Sequence, residues 1–131
     1  MNNKLYIRLD VDNAGDSIEL ALLKSDYKEA QNVHDKIQNS INSIFEKIQS
    51  INSTKILMKG CDDILFSIEQ DSYDLKLLKK LKNDFKLESG FTLSIGVASN
   101  ITECMLSLRK AKISGKDKIV EKTTANKVYK K

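Results

Sequence analysis

The chain has 131 residues, 40% of them hydrophobic and 31% charged, with a formal net charge of +4, two cysteines, no Trp and no Pro. That is one soluble domain with a sizeable core. It has no run near the roughly 18 apolar residues of a membrane span and no signal-peptide pattern, and Cys61 and Cys104 lack a zinc-ligand spacing and are expected as reduced thiols in the cytoplasm.

Lys4 to Asp10 alternates, with Leu5, Ile7 and Leu9 on one face and Tyr6, Arg8 and Asp10 on the other, which predicts a strand with one face on a core. Gly15 and Asp16 break the run and open a short helix over 17–24. Asp26 with Glu29 three residues later reads as a capping box. Ala30, Val33, Ile37, Ile41, Ile44, Ile48 and Ile51 then follow at spacings of three and four, which predicts a long amphipathic helix.

Residues 55–59 and 64–68 are short apolar runs joined by Gly60-Cys61-Asp62-Asp63, a hairpin with acids at its turn. A Lys-rich helix starting at Asp71 or Ser72 carries Leu75, Leu78, Leu81 and Phe85, and Gly90 stops it. Residues 91–98 alternate strictly, with Thr92, Ser94, Gly96 and Ala98 on the polar face. Asn100 or Thr102 caps a helix through Ser114, and Gly115 ends it. Residues 118–121 form a short last strand. A domain over 1–122 is followed by a basic, frayed tail over 123–131 that holds much of the surplus charge, so a surface for long nucleic acid is not indicated.

The predicted class is therefore α+β: a ferredoxin-like βαββαβ unit, an antiparallel sheet with helices on one face. The open face would carry Arg8, Asp10, Ser94 and Gly96, whose small members leave room for a ligand.

The acids are the chemical signal. Asp10-Val11-Asp12 ends one strand and Asp62-Asp63 marks a hairpin turn. A lone acid at either place is ordinarily a turn residue. Carboxylates brought together from two strands repel unless a cation lies between them, and a hard divalent ion bound by oxygens resolves that. The Val11 carbonyl could add a further oxygen. Lys112 and Lys116 share one helix face; they read either as cations stabilising a helix C-terminus or as a pair for β- and γ-phosphates. His34 reads as half-exposed surface. Cys61 has anionic neighbours, which argue against a reactive nucleophile. Lys76, Lys79, Lys80 and Lys82 read as a solvated helix face.

Taken in order, these motifs resemble the GGDEF/palm superfamily over nearly the whole chain. Asp10-Val11-Asp12 matches its first acidic motif. Gly60-Cys61-Asp62-Asp63-Ile64 stands where diguanylate cyclases have Gly-Gly-(Asp/Glu)-Glu-Phe, and residues 93–98, Leu-Ser-Ile-Gly-Val-Ala, look like its next strand. Residues 108–118 look like its Ala-Lys-x-x-Gly helix end. The second Asp of the turn suits the Gly-Gly-Asp-Asp of CRISPR type III palm polymerases better. Lys55 and Met58 replace an inhibitory Arg-x-x-Asp, and no counterpart of the guanine-reading residues stands out.

A freestanding palm of this size, without a sensor domain, is similar to the minimal CRISPR polymerase (mCpol) family. That resemblance implies a cyclic oligonucleotide synthase of antiviral defence. It would make a cyclic dinucleotide, adenine-preferring by analogy, from ATP or another NTP. It would work as a homodimer beside a separate effector protein that senses the product, with no membrane contact. Two Mg²⁺ or Mn²⁺ ions per site are implied, with Asp10, Val11, Asp62 and Asp63 as ligands; Asp10 and Asp62 would bridge them and Asp63 would assist. The nucleotide falls to Asp12, Asn13, Ser94, Gly96, Lys112 and Lys116. The competing readings are a diguanylate cyclase-like enzyme using GTP, a degenerate palm that only binds nucleotide, and a structural interaction module whose acids merely decorate turns.

Overall fold

A computed structural model describes residues 3–122 and the backbone of residues 126–130. The elements in chain order are β1 (Lys4–Val11), α1 (Ala14–Leu23), α2 (Tyr27–Gln49), β2 (Lys55–Lys59), β3 (Asp63–Glu69), a single 3₁₀ turn (Gln70–Ser72), α3 (Leu75–Ser89), β4 (Leu93–Ala98), α4 (Ile101–Ile113), β5 (Lys118–Lys122) and β6 (Asn126–Lys130). The sheet order is β2-β3-β1-β4-β5-β6. All pairings are antiparallel except the parallel β4–β5 contact that closes the α4 crossover.

Strand β1 lies at the centre, and its alternation is the one the sequence shows. Leu5, Ile7, Leu9 and Val11 enter the main core. There they meet Ile64, Phe66 and Ile68 of β3, Leu93, Ile95 and Val97 of β4, and the apolar stripes of α2 and α3. Helix α2 buries Ile37, Ile41, Ile44 and Ile48, spaced at three and four residues, and α3 buries Leu78, Leu81 and Phe85. Side-chain caps set the helix starts. Asp26 accepts from the Glu29 N–H (3.0 Å), Asp74 from the Lys76 N–H (2.9 Å) and Asn100 from the Glu103 N–H (2.8 Å).

The α+β ferredoxin-like palm is the fold the chain adopts, and several details of it differ from the sequence reading. Helix α1 begins at Ala14, directly after Asn13 in the left-handed region (φ 63°). Helix α3 begins at Leu75 because the 3₁₀ turn takes residues 70–72. Strand β4 begins at Leu93, since Phe91 donates its N–H to Ser89 Oγ (3.0 Å) rather than to a ladder. Helix α4 lies across the second sheet face instead of joining α2 and α3. A Cβ on Gly96 would sit 2.4 Å from the Leu108 nitrogen and 2.5 Å from the Cys104 carbonyl oxygen, so the missing side chain admits a helix backbone, not a ligand. Finally, residues 126–130 pair with β5 as an edge strand where a frayed end was expected.

Candidate active site

The register of the central strands places the acids. Asp10 stands opposite Asp63 on β3 and opposite Ser94 on β4. By strand alternation Asp10 and Asp63 project from the same face, the one α4 partly covers. The Val11 N–H donates to the Asp62 carbonyl (2.9 Å) and the Asp12 N–H to the Thr92 carbonyl (2.9 Å), so the acidic end of β1 is gripped from both sides. Gly60 fits the tight turn for a local reason. A Cβ there would lie 2.2 Å from Asp63 Oδ1, so the glycine leaves room for that carboxylate.

Asp63 accepts from Arg8 Nη2 at 2.6 Å, and Arg8 Nη1 lies 2.9 Å from Met105 Sδ. Asp10 Oδ2 lies 2.9 Å from Lys112 Nζ. The same ammonium donates to Asp12 Oδ1 (2.8 Å) and to the Val11 carbonyl (3.1 Å). Asp12 is 1% exposed. Besides Lys112 it accepts from Thr92 Oγ1 (2.6 Å), Ser94 Oγ (2.7 Å) and the Asp117 N–H (3.0 Å), so each of its oxygens has two donors. Lys116 Nζ donates to Asn13 Oδ1 at 2.5 Å.

Three titrating groups record this geometry. Burial pushes the Asp10 carboxyl up, Lys112 pulls it down, and the nearby Asp62 and Asp63 charges push it up again, leaving it above the ordinary 3.8. Burial also pushes Asp12 up, but hydrogen bonds from Lys112, Thr92 and Ser94 outweigh it and hold Asp12 below 3.8. For Lys112 burial favours the neutral amine, yet Asp12 and Asp10 outweigh it and keep the ammonium above its ordinary 10.5.

The structure thus sorts the residues singled out by sequence. Asp10, Val11, Asp63 and Lys112 converge. Asp62 is exposed at the turn and, with Cys61, borders a hollow of about 160 Å³ against Ala14, Gly15, Ile18, His34, Ile37 and Gln38. Asp12 and Ser94, expected to face a nucleotide, are saturated by protein partners and brace the site from within. Gly96 is covered by α4 and lines no ligand space. Lys116 and Asn13 meet at the rim. Cys104 is buried, and burial pushes its thiol up to about 11. A cleft of about 390 Å³ opens beside Asp10 and Lys112 along α4, lined by Met105, Leu106, Leu108, Arg109 and Ile113.

Sequence reasoning gave no role to one participant. Arg8 was placed on the correct face without a role, although its alternation with Asp10 put a cation beside the acids. His34 is exposed, as the sequence suggests, and it shares a hollow with Gln38 four residues on, to which the sequence reading gave no role.

Among the described residues, no three His, Cys, Asp or Glu side chains gather closely enough to hold a metal by themselves. The donor chemistry nevertheless fits a hard cation. An Asp10 carboxylate oxygen and the Val11 carbonyl already close on one positive charge, the Lys112 ammonium, with the Asp63 carboxylate across the strand pair.

The sequence profile of the minimal CRISPR polymerase domain, mCpol, matches residues 6–122. No curated protein matches the chain. Similar solved structures include a chain of the Csm1–Csm4 cassette in complex with cA3, at TM-score 0.65 and 17% identity over 88% of this chain and 20% of that one. Csm1 in T. onnurineus is similar at TM-score 0.66 and 17% identity, again over 88% and 20%. The diguanylate cyclase SiaD from Pseudomonas aeruginosa, in complex with its activator SiaC, is similar at TM-score 0.59 and 16% identity, over 92% and 50%. The chain therefore spans 20% of the Csm1-cassette chains and half of SiaD. At these identities the likeness is one of fold.

Proposed function

The chain belongs to the minimal CRISPR polymerase family, and on that premise we propose that it is a nucleotidyltransferase that joins NTPs into a cyclic dinucleotide, with ATP as the preferred substrate. The product would serve as a second messenger in antiviral defence, made in the cytoplasm and sensed by a separate effector protein. Among the described residues no helix is long and apolar enough to cross a membrane. The recorded complexes of the Csm1–Csm4 cassette with cA3 and with one ATP support the adenine choice. The observation that carries the proposal is the Asp10–Val11 carbonyl–Asp63 oxygen set with Lys112 among it.

Two bound Mg²⁺ or Mn²⁺ ions would supply Lewis-acid charge at the attacking and leaving oxygens, held by Asp10, Asp63 and the Val11 carbonyl. The chain's own residues do the rest. Lys112 and, at the rim, Lys116 hold the triphosphate as flexible point charges. Asn13 orients Lys116. The ribose hydroxyl of one nucleotide attacks the α-phosphorus of the other, the α–β phosphoanhydride bond breaks, and pyrophosphate leaves. Asp62, expected as a bridging metal ligand, stands exposed at the turn outside the Lys112 contacts, and we assign it the hydroxyl proton instead. The hollow beside it suits a nucleobase: Ile18 and Ile37 offer an apolar bed, and the Gln38 amide carries the donor and acceptor pair that adenine matches.

A cyclic dinucleotide needs two nucleotides in antiparallel arrangement, each hydroxyl facing the other's α-phosphate. One palm has one set of acids, so a second copy is needed. Helix α4 leaves Ile101, Met105, Leu106 and Ile113 exposed, and the last three border the cleft beside Asp10. This is the face a homodimer would cover. Specific activity should fall on dilution below the dimer dissociation constant; turnover independent of concentration would remove the dimer from the scheme.

Incubating the protein with each NTP and Mg²⁺ or Mn²⁺, followed by mass spectrometry, tests the reaction. A cyclic diadenylate is expected. A product from GTP alone would support a diguanylate cyclase-like enzyme instead, and nucleotide binding without product a palm that has lost turnover.

A further inference from the structure

Lys82 is a charged residue far from the acids in sequence and buried beneath the site. It is only 4% exposed, on the stripe of α3 that carries Leu78, Leu81 and Phe85. Its ammonium donates to the Leu93 carbonyl (2.9 Å) and to the Asp117 carboxylate. An ammonium taken out of water is expensive unless paired, and a packed apolar side chain commonly serves stability as well or better. The position therefore calls for a reason beyond packing.

The reason lies in what Lys82 holds. Lys116 and Asp117 follow each other with φ of 65° and 54°, after Gly115 at 121°. Two successive non-glycine residues in the left-handed region persist only where the surroundings fix them. Asp117 is tied twice: its carboxylate to Lys82, and its N–H to Asp12 Oδ2 at 3.0 Å. Lys116 donates its own N–H to the Ala111 carbonyl (2.9 Å), and this turn carries its ammonium to Asn13 at the end of β1. The path from α3 to the rim is thus Lys82, Asp117, Lys116, with Asp12 bracing the middle.

We propose that Lys82 is a positioning residue for the triphosphate subsite: through Asp117 it fixes the left-handed turn at 116–117 and keeps Lys116 over the end of β1. This rests on reading the site as one for NTPs. Lys82 itself does not touch the nucleotide.

The test uses the full chain and inorganic tripolyphosphate as probe, measured by titration calorimetry, with amide hydrogen exchange at residue 117 as a second readout. Lys82→Met keeps the stem and removes the charge. Asp117→Asn weakens the same contact from the more exposed side, should Lys82→Met fold poorly. Each is expected to weaken tripolyphosphate binding as much as Lys116→Ala does, by roughly ten-fold or more for a lost charge-assisted contact. Lys82→Met combined with Lys116→Ala should be no weaker than Lys116→Ala alone. Exchange at residue 117 should accelerate in Lys82→Met and Asp117→Asn but not in Lys116→Ala.

Wild-type affinity in Lys82→Met and Asp117→Asn, even with a lowered thermal midpoint, would overturn the positioning role, as would losses that multiply in the double variant. If the wild-type protein itself binds no tripolyphosphate, the NTP reading of the site fails, while exchange at residue 117 still decides whether Lys82 holds the turn.

Discussion

Asp10 and Asp12 stand two residues apart at one end of β1, yet they are opposite kinds of acid. Asp10 faces Asp63 and Asp62 with Lys112 as its main relief, and it titrates above the ordinary carboxylate. Asp12 is enclosed by two hydroxyls, an ammonium and a backbone N–H, and it titrates below. The difference separates a strained edge from a satisfied anchor. Charges held against repulsion are available to a ligand that relieves them; charges already satisfied are available only to the fold. Lys112 contacts both and carries the anchor's rigidity to the edge.

The largest effects should break the two acids apart by function. Asp10→Ala and Asp63→Ala should each reduce product formation by about 10³-fold, as loss of a group acting at the reacting centre does, while thermal unfolding shows an intact fold. Asp12→Ala should act through stability. It strips a buried partner from Lys112, Thr92, Ser94 and Asp117. Because Lys112 is partly exposed and retains Asp10, the cost should sit at the lower end for a broken buried pair, about 3 kcal/mol by denaturant unfolding. A stable, inactive Asp12→Ala protein would erase the distinction.

Protonation sharpens the same contrast, with opposite signs. The folded value of Asp12 lies below 3.8, so its stabilisation is complete above 3.8 and is lost as pH falls through that folded value. The thermal midpoints of wild type and Asp12→Asn should therefore lie apart at neutral pH and converge on acidification below 3.8. Asp10 is raised, so its ionised form opposes folding at neutral pH and acid relieves it. Asp10→Asn should accordingly be neutral or stabilising at pH 7.

Lys112→Ala should weaken ATP binding roughly ten- to hundred-fold, through the phosphates. The same change should tighten Mn²⁺ binding measured without nucleotide, because the ammonium no longer shares the Asp10 and Val11 oxygens. Equal Mn²⁺ affinity in both proteins would show that Lys112 does not compete there. The smallest effect should come from Gly60→Ala. Its methyl would meet only the end of the Asp63 side chain, which can turn away. Activity should fall several-fold with stability changed by less than about 1 kcal/mol, the scale of the partly exposed Arg8–Asp63 pair it disturbs.

Much of this frame is legible in the sequence. The alternation of β1 and the three-and-four spacing of α2 place the sheet and its main core, and the two acidic motifs are ones the strand register brings side by side. What escaped is whatever depends on a contact between distant elements. Ser94 and Gly96 were read as room for a ligand because small residues on a polar face leave space, but not what fills it. Here the space is taken by the α4 backbone at Gly96 and by the Asp12 carboxylate at Ser94.

Lys82 was lost in a run of lysines. Its phase, four residues after Leu78 and three before Phe85, was the available signal that it faces inward. Asp12 shares the alternation phase of Asp10, and only the hydroxyls across β4 tell an anchor from an edge. Strand β6 was read as tail because a short lysine-bearing run carries little strand pattern; such composition is common on edge strands.

The measurement closest to the central claim is pyrophosphate release from ATP with Mn²⁺, compared between wild type, Asp10→Ala, Asp63→Ala and a stability-matched variant outside the site. Steady release is expected from wild type and from the matched variant, and release at background from both acid variants. Release by either acid variant at the wild-type rate, or none from folded wild type with ATP or any other NTP, would contradict that claim.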